Sequence, residues 1–320
     1  MTCKKNVLLL LLSLSIIECD GQSDSIPEKA ENYFRYSYDN DFFSATDRYY
    51  TQGVRLELIL KPLKYNPLSY LLLKFNKGGK NYYGLAFERD GFTPRSIRVD
   101  SLYVGERPFA GVSFLSSFLV SLDQKKEQKL YTQLDLGIMG PASLGEEEQK
   151  YIHRKLNNIQ PLGWEYQVAN DIVVNYMLQY ERGILMKRYI EFIGGGEARV
   201  GTLYDDVSAV GTFRLGRMHN YFSSLGISKY PGYKKFQFYA ILRGRIKAVA
   251  YNGTLQGGMF SKSIYTIEPQ NIERLVAAGS FGLVIAYKRV SLEYTKWYIS
   301  PEFRNGLSHG WGHCNISVCF

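Results

Sequence analysis

The sequence predicts an all-β fold, a transmembrane antiparallel β-barrel of about 12 strands with a short helix in an external loop. Three observations predict it. Polarity alternates with period two, the period of a strand that meets a different solvent on each side. From Phe236 to Ala250, one face carries Phe236, Phe238, Ala240, Leu242, Gly244, Ile246 and Ala248, and the other Gln237, Arg243, Arg245 and Lys247. The longest apolar run, Val7 to Ile17, has eleven residues, whereas a spanning helix needs about twenty. Finally, 26 Tyr and 18 Phe supply the aromatic girdles that mark both interfaces of such a barrel. A composition of 45% hydrophobic and 22% charged residues excludes disorder, which needs few aromatics and a dominant charge.

The chain opens with Lys4 and Lys5 before the apolar run, then Cys19-Asp20-Gly21, where small residues at −3 and −1 suit cleavage before Gln22. Residues 1–21 are therefore expected to be a signal peptide and 22–320 one barrel domain, with no internal repeat. The alternative, lipidation of Cys19, is disfavoured by Glu18, which stands where that processing wants a small residue. Cys314 and Cys319 remain, at an odd spacing that puts them on opposite faces of one strand, so no disulfide and no zinc site is expected. Cleavage removes two bases and two acids, leaving the net charge at +9. An exported basic protein meets anionic lipid headgroups and lipopolysaccharide phosphates rather than nucleic acid.

Strands are expected near 32–39, 50–60, 82–88, 109–121, 129–139, 165–182, 187–199, 206–217, 235–250, 276–288, 289–299 and 309–320. In the second, Val54, Leu56, Leu58 and Leu60 oppose Arg55 and Glu57; in the fifth, Leu134, Leu136 and Ile138 oppose Gln133 and Asp135. Segment 252–264, with Gly253, Gly257 and Gly258, is assigned to an external excursion, because single-chain bacterial barrels have an even strand number. A soluble β-sandwich also alternates, but with shorter strands and its polar face in bulk water. The last strand ends on Phe320, with Cys314, Ile316 and Val318 on the same face, and resembles the terminal-aromatic strand of Gram-negative outer-membrane barrels.

Between the fifth and sixth strands the pattern turns helical. Ser143-Leu144-Gly145-Glu146 reads as a capping box, Glu146 to Glu148 suit a helix start, Arg154 and Lys155 its end, and Asn157-Asn158 a stop, giving a helix over about 144–156. Gln149 and His153, four apart, share one face of it. That singles out His153 among the four histidines. A second polar cluster, Asp39-Asn40-Asp41-Phe42-Phe43 with Thr46 to Gly53, lies at the outer end of the first hairpin. It reads either as an oxygen-rich Ca²⁺ turn or as an ordinary Asx-rich turn. The sequence is read as carrying no Gly-x-Ser-x-Gly nucleophile elbow, so a serine hydrolase of that type is not expected.

The ordered set Asn40-Asp41-Phe42-Phe43, Asp47 to Gly53, Phe92-Thr93-Pro94, Glu106 to Gly111, Gly140-Pro141, Gln149 with His153, and Pro161 to Trp164 resembles the outer-membrane lipid A 3′-O-deacylase family. The resemblance is dense over 40–164. Beyond that it rests on the barrel pattern, Gly201-Thr202-Leu203, Glu302-Phe303 and Phe320. It implies a twelve-stranded Gram-negative outer-membrane barrel that hydrolyses the 3′-linked acyloxyacyl ester of lipid A, with its site toward the external side of the wall beside a loop helix. By the same resemblance His153 is the base that activates water, Ca²⁺ assists the oxyanion, and Asn40 and Asp41 organise the base and the metal. Thr51 and Gln149 complete the polar shell. The implied partners are lipopolysaccharide and outer-membrane lipids, with no obligate protein partner. Two family positions depart: the lysine has Arg89 or Lys80 as its candidates, and the acid expected between the histidine and the Gly-Trp pair is Gln160. The rival readings are an outer-membrane phospholipase, and a channel or structural barrel whose basic lumen residues Arg243, Arg245 and Lys247 conduct anions unless carboxylates such as Glu57 and Glu293 pair them.

Overall fold

The computed structural model describes residues 32–44, 48–75, 79–228 and 236–320; the expected signal peptide and Asp47 lie outside the described residues. Alternation becomes a wall. Twelve strands follow one another: β1 (Tyr33–Asn40), β2 (Tyr49–Ile59), β3 (Lys80–Thr93), β4 (Ala110–Asp123), β5 (Gln128–Met139), β6 (Asp171–Met186), β7 (Ile190–Gly201), β8 (Tyr204–Arg217), β9 (Phe236–Asn252), β10 (Leu275–Tyr287), β11 (Val290–Ile299) and β12 (His309–Cys319). Each pairs antiparallel with its neighbours, and β1 closes the barrel on β12. The excursion after β9 is a helical turn, α2 (Gly253–Gln256), and coil, as expected.

The alternation assigns the faces correctly. Leu56, Leu58, Leu136, Phe238 and Leu242 are exposed on the outside, where lipid would cover them. Arg243, Arg245 and Lys247 line a central cavity of about 760 Å³. The lumen cations are largely compensated: Arg243 meets Glu293 at 2.6 Å, Arg245 meets Glu197 at 2.8 Å, and Glu57 binds Arg55 at 2.7 Å and Arg35 at 3.6 Å. Two seals bound the cavity. At the end carrying the chain termini, residues 218–228 fold into the lumen. There the Tyr33 hydroxyl donates to the Ile227 carbonyl (2.9 Å) and Arg35 to that of Leu225 (2.8 Å). At the distal end the buried Arg107 donates to Glu302 (2.7 Å) and Thr254 (2.6 Å). Burial alone would push the Glu302 carboxyl up, but Arg107 and then Lys247 outweigh it and hold it below the ordinary glutamate range.

Three local expectations need correction. The helix, α1 (Gly145–Lys155), has no capping box. Residues Pro141–Ser143 form a 3-10 turn, Leu144 is left-handed, and the Ser143 hydroxyl turns back to the Gly140 carbonyl (2.6 Å). The stop is as expected, with Asn157 at φ 51. Strand β3 runs on to Thr93, past the expected end at 88, and β6 begins only at Asp171, since Trp164–Tyr166 is a 3-10 turn. Cys314 and Cys319 are not bridged to each other.

Candidate active site

The distal ends of four strands form one outer row, and α1 lies on its β3 and β4 part. Asn40 pairs with Gln52, Gln52 with Gly91, and Gly91 with Gly111, one row across the distal ends of β1 to β4. Their parity is that of Leu56, Leu85 and Leu115, so the row lies on the outer surface. Two of its members are glycine, which leaves the wall flat where α1 crosses β3 and β4. The approach is close: a Cβ on Gly111 would run into the Ser143 hydroxyl and come within 3.2 Å of the Gly145 Cα. The Ser113 hydroxyl donates to the Ser143 carbonyl at 2.8 Å and fastens the helix start to β4.

The expected site residues fall into two halves. In the β1–β2 turn, Asn40 donates to the Tyr38 hydroxyl (2.9 Å) and accepts from the Phe42 N–H (2.8 Å). Asp41, only 2% exposed, accepts from the Arg48 N–H at 2.7 Å. Thr51 is the extra residue of a β-bulge between Tyr50 and Gln52, and its hydroxyl meets that of Thr93 at 2.8 Å. Bulges re-aim side chains, and this one turns Thr51 toward the outer row. On α1, Gln149 and His153 are 2% and 6% exposed and form the helix's buried face. Trp164, wedged against Phe109, donates its indole N–H to the Gln149 carbonyl oxygen at 2.8 Å.

His153 holds its Nδ1 2.5 Å from the Ile159 carbonyl. A carbonyl only accepts, so Nδ1 carries the proton and Nε2 is the acceptor nitrogen of the neutral ring. Charge fastens α1 to the wall. Arg89, pointing outward from β3, reaches Glu148 of α1 (3.4 Å) and donates to the Ser113 hydroxyl (3.0 Å). Glu148 and Asp41 are both electrostatic neighbours of the Tyr38 hydroxyl that receives Asn40. Burial lifts the Glu148 carboxyl above its ordinary range, although Arg89 opposes the shift. Of the two lysine stand-ins, Arg89 is at the helix, whereas Lys80 starts β3 at the opposite end of the wall.

Sequence reasoning missed Tyr38, Glu148 and Thr93 as members of the cluster. Outward parity with Asn40 is the signal that marks Tyr38, while Glu148 was read solely as a charge suited to the helix start. One spacing also needs correction: Gly306-Leu307-Ser308-His309-Gly310 does carry the nucleophile-elbow pattern. It leads into β12 with no helix after it, so the strand-turn-helix context of an elbow is missing. Among the described residues no three His, Cys, Asp or Glu side chains converge as a metal cluster. The donors at the turn are oxygens, the Asp41 carboxylate with the Asn40 amide and Thr51 hydroxyl. That chemistry suits a hard cation such as Ca²⁺ rather than zinc.

The model of the family described as outer membrane protein LpxR matches residues 7–320, nearly the whole chain. The chain belongs to the LpxR family. Among solved structures, LpxR from Salmonella typhimurium superposes with a TM-score of 0.72 at 19% identity, covering 90% of this chain and 100% of that one. The β domain of the Bordetella autotransporter BrkA follows at a TM-score of 0.43 and 12% identity, over 90% of this chain and 98% of that one. No curated protein sequence matches. LpxR-family membership supports an outer-membrane protein that modifies lipid A, and the LpxR fold is the closed twelve-stranded barrel described above.

Proposed function

We propose that this LpxR-family protein is a Ca²⁺-dependent hydrolase that removes the 3′-linked acyloxyacyl group of lipid A on the external side of the outer membrane. The observation that carries the reading is His153, buried on α1 and fixed by the Ile159 carbonyl in the tautomer that offers Nε2 as a base. Nε2 takes a proton from water as its oxygen adds to the ester carbonyl carbon. The imidazolium then returns the proton to the sugar oxygen as the acyl–oxygen bond breaks. Gln149, oriented by Trp164, lends a polar edge beside that base. Asn40 and Asp41 would hold the cation in the β1–β2 turn. A bound Ca²⁺ would stabilise negative charge developing on the ester oxygen. Arg89 fastens the helix to β3.

The outer surface is the right place for a lipid substrate, whose acyl chains stay among neighbouring lipids while its ester reaches the helix. A channel has less support, because two lumen arginines are paired and residues 218–228 occupy one end. The test is mass spectrometry of lipid A from cells carrying wild type or His153→Ala. The wild type should release one acyloxyacyl unit. The variant, still assembled as a heat-modifiable barrel, should lose about 10²–10⁴ in rate. Full activity in an assembled His153→Ala protein excludes the base.

A further inference from the structure

At the termini end, the 20-residue connection from β2 to β3 is far longer than the tight turns 124–127 between β4 and β5 and 187–189 between β6 and β7. Its residues 60–75 do not hang free. Two 3-10 turns, Lys61–Tyr65 and Pro67–Leu71, carry it as a strap along the outside of β4, β5 and β6. The Tyr176 hydroxyl donates to the Leu71 carbonyl (3.1 Å) and accepts from the Leu73 N–H (3.3 Å). Thr132 donates to the Leu73 carbonyl (3.1 Å), and Ser121 accepts from the Phe75 N–H (3.3 Å). Ser121 and Thr132 have outward parity, opposite to the lumen-lining Val120 and Tyr131, yet both are fully buried. The strap covers hydroxyls that would otherwise face hydrocarbon.

Its other side is amphipathic. Tyr65, Tyr70, Leu71 and Leu73 are exposed, Tyr70 at 79%, and they adjoin the apolar outer wall. Lys61, Lys64 and Lys74 are exposed beside them. The charge is one-sided: residues 58–87 contain five lysines and no acid. Lysines can lay their stems on apolar surface while the ammonium reaches the headgroup layer, and tyrosines favour the same layer. We propose that the strap is a docking surface for anionic glycerophospholipids in the leaflet at the termini end of the barrel, which an even-stranded bacterial barrel turns toward the periplasm. The lysines bind the phosphate and the exposed tyrosines and leucines sit at the top of the acyl chains. This surface lies at the opposite end of the wall from His153 and does not depend on the activity proposed for it.

The test uses the full barrel in a nonionic detergent, with native mass spectrometry counting bound lipid against phosphatidylglycerol or phosphatidylcholine. Wild type should prefer phosphatidylglycerol by about tenfold or more, because each lysine at an anionic surface contributes about fivefold. The variant Lys61→Gln/Lys64→Gln/Lys74→Gln should fall to about twofold or less, and the corresponding triple Lys→Arg variant should keep the preference. Tyr70→Trp fluorescence should be quenched by brominated phosphatidylglycerol and not by brominated phosphatidylcholine. No preference in wild type, a preference that survives the Gln variant, displacement by lipid A at lower concentration than by phosphatidylglycerol, or a dimer that buries Tyr70→Trp would each overturn the proposal.

Discussion

The carbonyl of Ile159 decides which nitrogen of His153 carries the proton. That residue follows Asn158, whose N–H returns to the His153 carbonyl at 2.8 Å, so the helix stop and the base are one piece of structure. A sequence shows the stop and the histidine but not the bond between them. Likewise Asn40 and Asp41 were legible as an ordered motif, whereas the pairing of Thr51 with Thr93 depends on a bulge that no local pattern announces. The roles of the two halves separate in a Ca²⁺ titration on detergent-dispersed substrate. Asp41→Asn is expected to raise the Ca²⁺ needed for half-activation, since hard-cation affinity follows ligand charge. His153→Ala should stay inactive at every concentration. An unchanged response in Asp41→Asn removes that carboxylate from the metal shell.

At the scale of elements, α1 depends on glycines it does not contain. Gly111→Val would place a branched side chain where Ser143 and Gly145 now press on β4. The helix should lift and turnover drop at least tenfold, while barrel content measured by circular dichroism stays unchanged. Normal turnover in that variant would mean that α1 need not lie on the row. The same element shows where sequence reading failed. Its length and its buried pair were readable from spacing, but its cap was not, because Ser143 is used for the turn that sets α1 against the wall. Strand β3 was cut short for a related reason. Glu88 and Asp90 line the lumen while Arg89 points to α1, so polarity appears on both faces and alternation vanishes where the candidate site begins.

For the whole molecule, period two was sufficient to set the strand pattern and the sign of each face. What it could not reveal was which carboxylates would meet the lumen cations, since Arg107 and Glu302 are 195 positions apart. That pair gives the distal seal a pH dependence with a definite sign. The folded Glu302 carboxyl titrates below its unfolded value of about 4.3, so its contribution is complete above that pH and is lost as pH falls through the lower folded value. Hydrogen exchange in residues 300–308 should therefore be protected equally at pH 7 and 5 and lose protection on further acidification. Protection that grew on acidification would reverse the assignment. The position of α1 on the outer wall has a kinetic consequence as well. A reactant held in the same sheet of lipid arrives by two-dimensional diffusion, so its surface mole fraction replaces bulk concentration as the governing variable. Adding inert detergent at constant total lipid A should slow turnover in step with that fraction, and a site fed from bulk water would show no such dilution.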